Sequence, residues 1–190
     1  MLKFAAPALA LCLALPAHAQ GLALAPADPQ PSAAALAEGL AVSYAYPSQI
    51  RTLADAARAL EKAKPGEPLI GLSYLDGSDG EITLTSDSAH KVAAAISGFI
   101  RFDAPGSYAL EVISNDGVEV TIGGQQVAFF DGIHGCESAG VTQVQVPQAG
   151  WYPLKATYFQ RKGSACLLMD WTPPGGEMEP VPDEAFAYRR

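Results

Sequence analysis

The chain has 190 residues and a mass of 19.8 kDa, which suits one ordinary globular domain. It is 49% hydrophobic and only 17% charged, enough apolar material for a core and unlike a disordered polar tract. With 12 Lys and Arg against 20 Asp and Glu, the net charge of −8 argues against binding nucleic acid or anionic lipid surfaces. The 18 Gly and 15 Pro favour short strands joined by turns over helical bundles or doubly wound nucleotide-binding folds.

The N-terminus reads as an export signal. Lys3 supplies a positive start, Phe4 to Pro16 is apolar and uncharged, and Ala17-His18-Ala19 places small residues where a signal peptidase measures them. Residues 1–19 are therefore expected to be removed, giving a periplasmic or secreted protein. The apolar run is shorter than the roughly 20 residues of a spanning helix, and no later stretch replaces it. Cys12 follows Leu11 inside the apolar run, which does not suit lipid attachment. Cleavage takes Lys3 from the 12 basic residues and leaves 11 against 20 acidic ones. It also leaves Cys136 and Cys166 as the two thiols, with His90 and His134 as the imidazoles. An even pair of cysteines in an oxidising compartment suggests a disulfide; the alternative is two separate thiols, one packed in a sheet.

Residues 20–38 are rich in Ala, Pro and Leu, and the repeated Pro predicts an extended tether. The folded domain is expected over 39–173. It opens with Leu40, Val42, Tyr44 and Tyr46 alternating with small residues, the two-residue period of a half-buried strand. From Thr52, the spacing of Leu53, Ala56, Ala57 and Leu60 predicts a helix stopped by Pro65-Gly66, covering a sheet edge. Strands are then expected over 68–75, 82–85, 92–102, 108–114, 118–122, 126–130, 141–146, 151–159 and 165–171. The breaks carry turn chemistry such as Asn115-Asp116-Gly117 and Gly123-Gly124. The fold class is all-β, an antiparallel sandwich with one short surface helix. Residues 174–190, rich in Pro and Glu, are expected as a tail over the surface.

Several catalytic patterns fit poorly. Asp76 to Glu81 lacks the ligand spacing of an EF-hand and reads as a solvated double turn. A zinc site needs more His and Cys than the chain has, and no Gly-x-Ser-x-Gly elbow is present. A Cys136–His134 nucleophile pair competes with oxidation of Cys136. A glycosidase would need two facing carboxylates, and nothing marks such a pair. Trp151, Tyr152, Tyr158 and Trp171 lie on expected strands, so core packing suits most of them better than sugar stacking.

Across Phe99 to Trp171, motifs in a fixed order resemble the protective-antigen (PA-14) domain, a β-sandwich family of toxins, glycosidases and adhesins. The motifs are Ser97-Gly98-Phe99-Ile100-Arg101-Phe102, Gly106-Ser107-Tyr108, Ser114-Asn115-Asp116-Gly117-Val118, Ile122-Gly123-Gly124, Gly150-Trp151-Tyr152-Pro153-Leu154, Tyr158-Phe159 and Gly163 to Trp171. The resemblance implies a non-catalytic binding role, with a glycan or another envelope component as partner. In the sugar-binding branch two adjacent Asp joined by a cis peptide hold calcium, and those positions are Asn115 and Asp116 here. Asn115 offers a neutral carbonyl in place of a carboxylate, which lowers the expected calcium affinity. The competing reading of Asn115-Asp116-Gly117 is a tight hairpin turn. The expected ligand site is Asn115 and Asp116, with the 131–140 loop, carrying Asp131 and His134, as its rim. The other expected role is a structural or protein-interaction scaffold in a secreted or periplasmic assembly.

Overall fold

A computed structural model describes residues 21–190, so the export signal with Cys12 and His18 lies outside the described residues. The strands, in chain order, are β1 (Leu22–Ala23), β2 (Leu36–Glu38), β3 (Ala41–Ala45), β4 (Lys64–Pro65), β5 (Ser73–Leu75), β6 (Val92–Phe102) and β7 (Gly106–Asn115). They continue as β8 (Val118–Ile122), β9 (Gln125–Phe130), β10 (Glu137–Val146), β11 (Gly150–Gln160), β12 (Cys166–Thr172), β13 (Glu179–Pro180) and β14 (Phe186–Arg189). Among the described residues the single α-helix is α1 (Leu53–Leu60). Among the described residues no helix is long and apolar enough to cross a membrane.

Two sheets face each other. One runs β1-β10-β7-β12-β13, with β5 also paired to β12; the other runs β2-β14-β6-β11-β8-β9, with β3 also paired to β6 and β4 paired to β3. The alternation in sequence sets which residues point inward. Val118, Val120 and Ile122 of β8 are buried while Glu119 and Thr121 are only partly so. Tyr152, Leu154, Ala156 and Tyr158 of β11 enter the same core. Phe102 sits at its aromatic centre, with ring centroids 4.8 Å from Tyr108 and 5.2 Å from Tyr152, both edge to face. Tyr152, Tyr158 and Trp171 are buried, as core packing requires, and Trp151 is partly exposed.

The helix begins at Thr52, whose Oγ1 accepts the amide of Asp55 at 3.1 Å, while Asp55 Oδ2 accepts the amide of Arg51 at 3.0 Å. Its buried Leu53 and Ala56 pack with Ile50, Ala45, Ala93 and Phe159. The helix thus lies on the outer face of β6 and β11 instead of covering an edge, because small Ala93 leaves room for it there.

Three expectations fail in detail. Residues 21–38 are no tether: β1 pairs with β10, β2 pairs with β14, and Leu24, Ala27 and Leu36 are buried. The three apolar side chains are what tie this Pro-rich stretch to the sheets. The 174–190 segment is part of the fold, for Phe186 is fully buried and pairs with Ile100 of β6. Residues 82–85 form no strand, and Leu84 adopts φ 54°, outside the extended region.

Candidate functional site

The β7–β8 turn, the β9–β10 loop and the β11–β12 loop meet at one end of the sandwich. The peptide between Asn115 and Asp116 is cis. Gly117 follows because a Cβ there would stand 2.2 Å from the Phe159 ring. The turn is then locked to β11 by Asp116 N donating to Phe159 O and Phe159 N donating to Gly117 O, each at 3.0 Å. From the opposite sheet, the Tyr158 hydroxyl donates to the Asn115 carbonyl at 2.5 Å.

Asp116 is only 2% exposed, and its Oδ2 accepts the amide of Arg161 at 2.7 Å. Burial pushes its carboxyl above the ordinary 3.8, while the backbone amides of Arg161 and His134 pull the other way. Burial also pushes Tyr158 far up, reinforced by the charges of Asp116 and Asp76. Asp76, read from sequence as part of a solvated turn, instead accepts the amide of Ala165 at 2.6 Å beside Cys166.

His134 lies against this corner. Its ring stacks on Phe130 with centroids 3.8 Å apart, and Nε2 is 2.9 Å from the Asp116 carbonyl. That carbonyl only accepts, so Nε2 carries the proton. Ser114 Oγ donates to the same carbonyl at 2.7 Å. Cys136 is bonded to Cys166 with Cα atoms 5.8 Å apart, and Cys166 lies opposite Asn115 in the β7–β12 ladder. The disulfide therefore holds the His134 loop to the corner and, among the described residues, leaves no free thiol for nucleophilic chemistry. Asp131 is exposed on the same loop, and its Oδ1 accepts the Leu53 amide at 2.6 Å, tying the loop to the start of α1.

The structure thus brings Asn115, Asp116 and His134 together and turns Asp131 towards the helix. Among the described residues, the buried side-chain oxygens without a hydrogen-bond donor are Asn115 Oδ1 and Gln160 Oε1. No three His, Cys, Asp or Glu side chains converge there as a metal set. Asn115 Oδ1 is nevertheless the kind of acceptor that a hard cation takes, and the adjacent Asp116 carboxylate is a second one. Arg161 was not singled out from sequence, since nothing local marked its amide as the partner of a carboxylate 45 residues away.

A two-sheet sandwich with a disulfide-braced loop cluster at one end defines a β-sandwich of the kind that carries recognition on its connecting loops. A family model for the PA14 domain matches residues 75–185, and the chain belongs to that family. Solved structures agree on the fold. The PA14 domain of the MpAFP antifreeze protein superposes with a TM-score of 0.68 at 18% identity, covering 86% of this chain and 96% of that one. The PA14 sugar-binding domain from an RTX adhesin gives 0.64 at 18% identity, covering 80% and 98%. The epithelial adhesin 9 A domain from Candida glabrata, solved with Galb1-4GlcNAc, gives 0.67 at 12% identity, covering 90% and 97%. No match to a curated protein sequence was found.

Proposed function

We propose that this chain is an exported, non-catalytic module that binds a glycan or another envelope component at the corner formed by Asn115, Asp116 and His134. The observation that carries the reading is the buried Asn115 Oδ1, an acceptor without a protein donor beside a buried carboxylate. The sugar-binding adhesin domains among its structural neighbours support the ligand class.

Asn115 Oδ1 and the Asp116 carboxylate are the groups that would hold calcium, whose coordination shell accepts vicinal sugar hydroxyls. Two protein donors, one of them neutral, imply weak affinity. Asn115→Asp should therefore tighten calcium binding about tenfold or more by calorimetry, since ligand charge tunes such sites. Glycan-array binding with calcium and with chelator tests the whole reading. Sugar binding by the wild type supports it, and absence of any sugar signal in both conditions removes it.

A scaffold role in a secreted assembly is the second reading, favoured by the engagement of Asp116 with protein amides. It requires a stoichiometric envelope-protein partner that free sugar does not displace in pull-down.

A further inference from the structure

One small cavity stands apart from the acidic character of the chain. It is lined by Ser48, Gln49, Ile50, Arg51, Lys91 and Arg161, three cations and no carboxylate. Among the described residues none of these three side chains forms an ion pair; the ion pairs use Arg58, His90, Arg101 and His134. Two carboxylates bonded to the Arg51 and Arg161 backbone have protein partners. Asp55 takes the Arg51 amide and the Arg58 guanidinium, and Asp116, buried on the Arg161 amide, feels the Arg161 charge without forming an ion pair with it.

The backbone places two of these residues side by side. The β6–β11 ladder ends at the pair Val92 and Gln160, and the next residues are joined by Lys91 N donating to Arg161 O at 3.1 Å. Two like charges thus leave adjacent backbone positions and line one cavity, an arrangement that a bound anion would relieve. Lys91 also adopts φ 57°, a conformation that Asn or Gly would take at lower cost. An uncommon backbone conformation thus falls on an exposed cation lining the cavity, and such features concentrate where a ligand is held. Arg51 is placed from a third direction by the cap of α1.

We propose that Arg51, Lys91 and Arg161 form a pocket for the carboxylate or sulfate group of an anionic glycan. The ligand is a saccharide only by virtue of the reading above, whereas the anion pocket stands on its own residues. Arg161 links the two places, since its amide donates to Asp116 while the residue also lines the cavity. The net negative charge of the protein supplies no long-range attraction, so the contact is local and falls with added salt.

The test is calorimetric titration of the full mature chain with tetragalacturonate, sulfated dextran oligomers, unsulfated dextran and inorganic sulfate. The expected result is binding of the charged saccharides above the neutral one, weakened about tenfold in each of R51Q and K91Q. The unliganded variants should melt at or above the wild-type temperature, since each removes repulsion. Anionic binding that is unchanged in both variants overturns the pocket. So does a melting temperature that falls several degrees in both variants, whereas inorganic sulfate binding as tightly as the sulfated sugar overturns the saccharide assignment. Neutral dextran bound better than the charged sugars overturns the pocket and leaves the glycan-binding reading standing.

Discussion

The Tyr158 hydroxyl reaches from the centre of one sheet to the backbone carbonyl of Asn115 at the end of the other. A side chain of the core thus fixes the position of the residue whose carboxamide faces no donor, and fold stability and site geometry share one hydrogen bond. Tyr158→Phe keeps the ring and removes the donor, leaving a carbonyl unpaired. The expected cost is about 1–2 kcal/mol, a loss of several degrees in melting temperature for a domain of this size. Ligand affinity should fall as well. An unchanged melting temperature would mean that this bond contributes nothing.

The Cys136–Cys166 bond spans 30 residues, and Cys136 is exposed while Cys166 is fully buried. Closing a loop of that length restricts the unfolded chain by about 3.5 kcal/mol. Cys136→Ala with Cys166→Ala should lower the melting temperature by about 10 °C and loosen the loop that holds His134 against Asp116. Iodoacetamide should label the native protein only after reduction. Labelling without reduction would show that the thiols are free.

The sandwich itself was legible because β8, and β11 from Tyr152 to Tyr158, state their inward faces by alternation. The Asn115–Asp116 corner came from the family resemblance, since the residues alone read as a tight turn. The segments that escaped are those held by a few long-range contacts. Phe186 enters the core from a polar tail, and Leu24 and Leu36 anchor a stretch whose many prolines suggest a tether. The cationic pocket was equally invisible. Arg51, Lys91 and Arg161 are scattered in sequence and meet only through the helix cap and the β6–β11 register.

Asp131 distinguishes a ligand contact from a positioning role. Its Oδ1 accepts the Leu53 amide at the start of α1, so Asp131→Ala removes a helix-terminal acceptor worth about 1 kcal/mol. Asp131→Asn keeps a carbonyl oxygen in the same place. Positioning predicts that D131A lowers both the melting temperature and ligand affinity while D131N restores both. Equal loss of affinity in the two variants, with stability retained in D131N, would assign the carboxylate to the ligand.

Asp116 gives a pH signature whose sign follows from its environment. Burial raises its carboxyl above 3.8 in the folded protein, against the opposing pull of the Arg161 and His134 amides. Between 3.8 and the raised value, the folded state keeps a proton that the unfolded chain has lost. Stability from this group is therefore complete at low pH and declines as pH rises through the folded value. Burial pushes Asp76 and Asp170 the same way, so the wild-type curve sums all three. Asp116→Asn removes one titrating group, and its amide oxygen can still accept from Arg161. The melting temperature of D116N minus that of wild type should therefore grow from pH 3.5 to pH 6. At neutral pH the variant should be at least as stable as wild type while binding the ligand more weakly. Such a trade would mean that the buried carboxylate is retained for recognition and not for folding; a difference that shrinks with rising pH would mean the opposite.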